Sequence, residues 1–333
     1  MKATILREWY RMSFAQKLIR WQRRHGRRGL PWQGTRDPYR IWLSEVMLQQ
    51  TQVATVIPYY EKFISKYDTV DALAAASEDE VLRLWAGLGY YARGRNLHKA
   101  ARILKDGFPR TAAEIAELPG VGRSTASAIA AFAFGERAAI LDGNVKRVLS
   151  RFFGISQQEE LWPLAERLLP RKDIETYTQA LMDLGATVCA RTPKCDACPV
   201  SEQCVARKEG RIDELPAPRP RKALPLRKAT WFVYRNNGRV LLERRPSPGI
   251  WGGLWCFPEK KVLDGKAVRL APIDHGFTHF RLRIQPLLHE VRRTSGGLWL
   301  DVDDALGAAV PAPVKKLLQE LQRNTTARVH ARR

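Results

Sequence analysis

Four cysteines, Cys189, Cys195, Cys198 and Cys204, fall within sixteen residues in the pattern C-x5-C-x2-C-x5-C. A disulfide framework spreads its bridges along a chain and suits a small secreted domain. Four thiols this close together suit one metal centre, around which the intervening loop must close. Zinc and a [4Fe–4S] cluster both accept four cysteines, and the spacing does not choose between them. Arg191, Lys194 and Arg207 decorate the same loop, so it presents positive charge as well as metal ligands. The fifth cysteine, Cys256, stands alone in an aromatic stretch and reads as a small buried hydrophobe.

Charge narrows the partners. The 333 residues carry 56 Lys+Arg against 34 Asp+Glu, a formal net charge of +22. Such an excess favours a polyanion, because neutralising phosphates releases counterions without any base contact. Apolar runs stay below the roughly 18 residues a membrane span needs, and the N-terminus shows no secretory h-region. A cytoplasmic, nucleoid-associated monomer that leaves membranes alone is expected.

The length allows two packed domains. Residues 1–204 read as mainly helical, with the cysteine loop at 189–204 closing that domain. Residues 205–228 hold Pro216, Pro218, Pro220 and Pro225 among many Arg and Lys, which reads as an extended linker. A smaller α/β domain follows over 229–325. Its signals are β-type runs at Thr230–Tyr234 and Arg239–Glu243 with Asn236-Asn237-Gly238 between them, a run at Phe280–Leu288, and a helical stretch at Ala312–Gln322. The tail 326–333 reads as disordered.

Within the helical part, Leu118-Pro119-Gly120-Val121-Gly122 joins helical patterns at Ala112–Glu117 and Ser124–Phe134. Its glycines permit a tight turn whose N–H groups point outward together, and the following helix adds its N-terminal dipole. That is a grip for phosphate through main chain, with Arg123 and Ser124 directly after it. Two carboxylates stand out. Asp37-Pro38 predicts a helix start, with the helix running to about Thr51; on it, Glu45 has Ile41, Trp42, Leu48 and Gln49 as helical neighbours. An acid on an apolar face keeps its proton longer, which suits a general acid near neutral pH. Asp142, before Lys146–Phe153, is a natural N-cap and hence an ionised Asp stabilised by backbone N–H groups. One protonated and one anionic carboxyl is the pair that glycosidic cleavage uses, although spacing alone does not bring them together.

Together these features resemble the helix–hairpin–helix DNA glycosylase superfamily with its Gly/Pro-Asp loop, specifically the MutY-type adenine DNA glycosylases. The segments Ser44–Gln52, Leu118–Thr125 and Leu141–Arg147 carry the likeness, in that order, before the four-cysteine loop. The resemblance implies a mainly α helix–hairpin–helix glycosylase domain with an iron–sulfur loop, plus a smaller α/β Nudix-like C-terminal domain. It implies a [4Fe–4S] cluster on Cys189, Cys195, Cys198 and Cys204, although the first cysteine gap is one residue shorter than the family's usual six. Its implied substrate is double-stranded DNA with adenine opposite 8-oxoguanine or guanine. Glu45 would protonate adenine at N7, Asp142 would stabilise the sugar cation, and Asn144 would support the aspartate. Arg28, Leu30, Trp32 and Asp183 match positions around the family's adenine pocket. Gln50 matches the residue that fills the space an extruded nucleotide leaves, with Leu88 and Tyr90 on the 8-oxoguanine side. Gly120, Gly122, Arg123 and Ser124 belong to the DNA-gripping hairpin. Phe277-Thr278-His279 matches the 8-oxoguanine-reading loop, with Thr where many members have Ser. The glutamate-rich helix of Nudix hydrolases is not visible, so recognition without pyrophosphate hydrolysis is expected.

Two other readings remain. A bifunctional endonuclease III-type pyrimidine glycosylase-lyase would carry a Schiff-base Lys where this chain has Ser124, and Ser cannot form the imine. A non-enzymatic iron–sulfur DNA-binding protein would have no use for both Glu45 and Asp142.

Overall fold

Ser13, Ser77 and Thr111 each close a reciprocal capping box with the residue three places on, Gln16, Glu80 and Glu114. In the computed structural model of the chain, which describes residues 12–217, 223–247, 249–264, 266–292 and 296–330, these caps open the helices Phe14–His25, Glu78–Trp85 and Ala112–Ala116. The described residues gather into two compact units, one drawn from 1–71 and 99–220 and the other from 72–98 and 221–333.

The first unit is helical. Its first helix buries Phe14, Leu18, Ile19 and Trp21 in one cluster with Val145, Leu149 and Phe152 of the Gly143–Phe153 helix and Tyr177 and Leu181 of the Ile174–Asp183 helix. Phe14 meets Phe152 at 4.6 Å between ring centroids. Each large apolar side chain removed from water here contributes ~1.5–3 kcal/mol. On the same helix Lys17, only 1% exposed, reaches the cysteine loop and donates to the Gln203 side chain at 2.9 Å. Past Asp183 the helix widens into a π turn, Leu184–Val188, which delivers the chain to Cys189. After the cysteines, Val205–Lys208 forms one more helical turn at the start of the segment expected to be extended. Pro218 and Pro220 of that segment lie outside the described residues.

The second unit is built on a sheet, seven-stranded among the described residues. Its strands are β1 (Leu226–Asn236), β2 (Arg239–Arg244), β3 (Trp255–Cys256), β4 (Ala267–Arg269), β5 (Ile273–Gly276), β6 (Arg281–Glu290) and β7 (Leu298–Asp301). The order is β3-β2-β1-β6-β4, with β5 also on β6 and β7 also on β2. β1 and β2 form the expected hairpin, pairing Asn236 with Arg239. Asn237 and Gly238 make its turn with φ of 46° and 84°, the paired positive values that a two-residue hairpin loop needs. β1 and β6 run parallel along most of their length. The short strands β3, β4, β5 and β7 were not legible in the sequence, since two to four residues carry too little alternation to read.

Trp231 and Val233 of β1, Val240 and Leu242 of β2 and Ile284 of β6 pack in one core with Leu317, Leu318 and Leu321 of the Ala312–His330 helix. Leu82, from the Glu78–Trp85 helix, belongs to this core and not to that of the first unit. Trp255 Nε1 donates to Asp79 at 2.8 Å and Arg244 pairs with Glu78 at 3.2 Å, so polar bonds frame the same contact. The last helix continues through residue 330 across part of the tail expected to be disordered. That stretch holds neither Gly nor Pro to stop it. Residues 331–333 lie outside the described residues.

Candidate active site

Glu45 sits in the last turn of the Pro38–Leu48 helix, which starts where its sequence says: Asp37 accepts the Tyr39 N–H at 2.9 Å and Pro38 fills the first position. The helix ends at Leu48, three residues before the expected Thr51, because Gln50 turns the chain with φ of 56°. Gln49 fastens this corner to the hairpin, its amide donating to Gly120 O at 3.1 Å and Thr125 Oγ1 at 3.2 Å. Gln50 itself is exposed.

The hairpin is anchored by buried Leu118 and Val121, and Gly120 takes φ of 79° to close it. Gly122 then caps the Arg123–Phe134 helix with no side chain over its first N–H groups. Gly120, Gly122, Ser124 and Thr125 border a cavity of about 1130 Å³, so the positive end of the helix faces space that an anion can occupy. Arg123 does not border this cavity: it pairs with Glu166 and lies 3.9 Å from the centre of the Trp162 ring. Its nearest anion comes from a helix more than forty residues on, which no local pattern announces. Ser124 turns inward, accepting the Leu141 N–H at 2.9 Å and so holding the segment that leads into Asp142.

Asp142 caps the Gly143–Phe153 helix, one oxygen accepting the N–H groups of Asn144 at 2.9 Å and Val145 at 2.8 Å. The Asn144 side chain accepts from Arg147 at 2.8 Å, and the same guanidinium reaches Gly185 O at 2.6 Å and Cys189 O at 2.7 Å. Gly185 must be glycine: a Cβ there would lie 2.6 Å from Asn144 Cβ. One turn along, buried Arg151 donates to Ala190 O at 2.7 Å and Arg191 O at 3.1 Å. The capped helix thus carries the Asp142 loop at its start and holds the cysteine loop along its side. Arg147, Arg151 and Gly185 were missed in the sequence, where an Arg in a helix of a basic protein is unremarkable.

Glu45, Asp142 and Asn144 all line the 1130 Å³ cavity. Glu45 also lines a second cavity of about 490 Å³ with Arg28, Leu30, Trp32, Ser44 and Gln179, and the two share Arg27, Leu48, Val53 and Met182. Burial, reinforced by the nearby Asp142 charge and opposed by Arg27, pushes the Glu45 carboxyl up to about 8. Asp183 does not line either cavity. It is fully buried behind the smaller one, accepting from Arg27 Nε at 2.7 Å, Arg27 N at 2.9 Å and the Gln179 amide at 2.8 Å. A buried carboxylate needs such partners, so its part is to hold Arg27 and Gln179 at the wall. Gln179 is a polar wall residue that the sequence did not single out.

All four cysteines of the loop line one small cavity with Arg151, Arg207 and Lys194, as free thiols. Burial, then the mutual repulsion of the other three sulfurs, pushes the Cys198 thiol well up. Four thiols gathered where thiolates are costly, with cations around them, fit a positively charged metal group that accepts four cysteines. Among the described residues, no three His, Cys, Asp or Glu side chains draw together tightly enough for a single ion.

In the second unit, Phe277, Thr278 and His279 form the turn between β5 and β6. Phe277 stacks on Phe280 at 4.4 Å and packs against Trp251 and His275, while Thr278 and His279 are exposed. Leu88 is 5% exposed and Tyr90 44%.

Comparison with known proteins decides the family. The chain is 36% identical to the adenine DNA glycosylase of Buchnera aphidicola subsp. Baizongia pistaciae, over 95% of this chain and 98% of that one. The chain belongs to the adenine DNA glycosylase family. It is also 33% identical to the Homo sapiens adenine DNA glycosylase, over 93% of this chain and 74% of that protein. Residues 43–170 match the HhH-GPD superfamily of base excision DNA repair proteins, and 230–320 match the NUDIX domain. Among solved structures, a thermostable thymine-DNA glycosylase aligns at 33% identity and a TM-score of 0.55, covering 59% of this chain and 95% of that one. Endonuclease III in a DNA complex aligns at 24% and 0.52, a likeness of fold. The glycosylase is therefore a helix–hairpin–helix enzyme with an added Nudix-like domain. Among the described residues no helix is long and apolar enough to cross a membrane.

Proposed function

We propose that this glycosylase hydrolyses the N-glycosidic bond of adenine opposite 8-oxoguanine or guanine in duplex DNA, leaving the strand uncut. The observation that carries the reading is Glu45, raised to about 8 and bordering both cavities, with Asp142 on the larger one. At neutral pH Glu45 holds a proton, and its place is to deliver it to N7 of an adenine seated against Leu30 and Trp32. The C1′–N9 bond then breaks with its electrons going to the base. The positive charge left on the sugar is met by the Asp142 carboxylate, and water completes the hydrolysis. The open N-terminus after Gly122 takes a backbone phosphate. With Ser124 at the hairpin there is no amine to form an imine, so the abasic product keeps its strand.

Cys189, Cys195, Cys198 and Cys204 would hold a [4Fe–4S] cluster, which when bound ties the loop 189–204 into one rigid unit. The turn Phe277–His279 offers a half-buried aromatic base with an exposed hydroxyl and imidazole, suited to reading 8-oxoguanine opposite the adenine. The enzyme acts where DNA is, as a monomer on the nucleoid in the cytoplasm.

Strand scission on duplexes with adenine opposite 8-oxoguanine, guanine or thymine tests this. Alkali-dependent scission at the first two, sparing the A·T duplex and lost in Glu45→Gln, is expected. Scission without alkali, or at pyrimidines, would overturn it.

A further inference from the structure

Gly87, Gly89 and Tyr90 take φ values of 103°, 77° and 48°, three left-handed residues within four. The glycines adopt them freely; a tyrosine resists. Something must hold Tyr90 there, the more so because its ring is 44% exposed.

The clamp comes from two neighbours. Trp85, fully buried, donates its indole N–H to Gly89 O at 2.9 Å. Arg93 donates its backbone N–H to Tyr90 O at 2.8 Å. Its guanidinium lies 5.4 Å from the Trp85 ring centre and 5.3 Å from that of Tyr90. The cation thus lies within cation–π reach of both a buried ring and an exposed one. Gly94 permits the close approach, since a Cβ there would stand 3.0 Å from the Trp85 ring. Arg93 is only 9% exposed, and its guanidinium also donates to Gly89 O at 3.4 Å.

We propose that Arg93 is a positioning residue for DNA engagement: its guanidinium, braced on Trp85, presents the Tyr90 ring from the strained turn for stacking against bases. The inference rests on the reading that Tyr90 meets the duplex. A planar, delocalised guanidinium engages aromatic faces in a way that a compact ammonium does not, so Lys is a poor substitute. An ordered ring stacks without first losing rotamer freedom, which is where the gain in affinity arises.

A double-mutant cycle on the full-length protein tests it, reading the Kd for an A·8-oxoG duplex at several salt concentrations. Arg93→Met and Arg93→Lys are each expected to weaken binding about 3- to 30-fold in the presence of Tyr90. In the Tyr90→Ala background both are expected to do nothing further. The slope of log Kd against log salt stays that of wild type, because no phosphate contact is lost. Arg93→Lys covers the case in which Met at 93 prevents folding, monitored by thermal melting. Additive losses, or a salt slope shallower by about one, would overturn the proposal in favour of a direct phosphate contact. Unchanged binding by Tyr90→Ala alone would overturn it by showing that the ring adds nothing to binding, and excision on the same duplex reports independently whether the adenine reading stands.

Discussion

Glu45 shows how far one side chain's chemistry depends on what surrounds it. With its carboxyl at about 8, the acid form is the majority species at pH 7, and activity that needs that proton should fall about tenfold per unit above pH 8. Single-turnover rates from pH 6 to 10 check this, and Glu45→Gln should lose about 10²–10⁴-fold at pH 7. The same shift acts on folding. The folded value lies above the ordinary 4.5, so the native state binds more protons than the unfolded one between those pH values. Stability is therefore full below about 4.5 and is lost as pH rises to about 8. Glu45→Gln removes the effect, and melting should show a gain at pH 8 that vanishes near pH 4, bounded at about 5 kcal/mol and reduced by the open cavity. Gly185 yields a second test. Its missing side chain admits Asn144, so Gly185→Ala should cost ~1–3 kcal/mol in melting and slow excision beyond that loss of stability. The identity of Glu45 was legible; its proton affinity was not, since it depends on burial by the folded site and on the charge of Asp142, about a hundred residues away.

At the level of elements, starts were easier to read than ends. Asp37-Pro38 and Asp142 announce their helices because a cap is a bond over two or three residues. The Pro38–Leu48 helix ends where Gln50 turns the chain, a corner that Gln49 fastens to Gly120 and Thr125, groups that no local window contains. The hairpin was legible as a turn with an open N-terminus, and it makes a separate prediction. A side chain at 120 would strain a backbone held at φ of 79°, disturbing N–H groups that read no sequence. Gly120→Ala should thus weaken binding by a similar factor for A·8-oxoG and undamaged duplexes, as titration of both would show. Unequal losses would place the hairpin in base recognition instead. Arg123 was expected beside the phosphate, yet Glu166 and Trp162 engage it, because a long cation takes whatever anion and ring the packing brings near.

Across the whole molecule, the cysteine loop and the Asp142 loop are carried on one helix, through Arg147 and Arg151. Purified protein is expected to contain about four irons and four sulfides per chain. Cys198→Ser should release them, lower the melting temperature and open the 189–204 loop to limited proteolysis; full iron retention would show that this thiol is not a ligand. Chemistry that sits within a few residues was written in the chain: the caps, the Asn237-Gly238 turn, the thiol spacing, the two carboxylates and the order of their segments. Partnerships across the fold were not. Asp183 stands behind the cavity wall and not on it, and Leu82 completes the core of the second unit. The reason is physical: a cap or turn is satisfied by its neighbours in sequence, whereas burial, charge and the choice of partner are sums over atoms that only packing brings together.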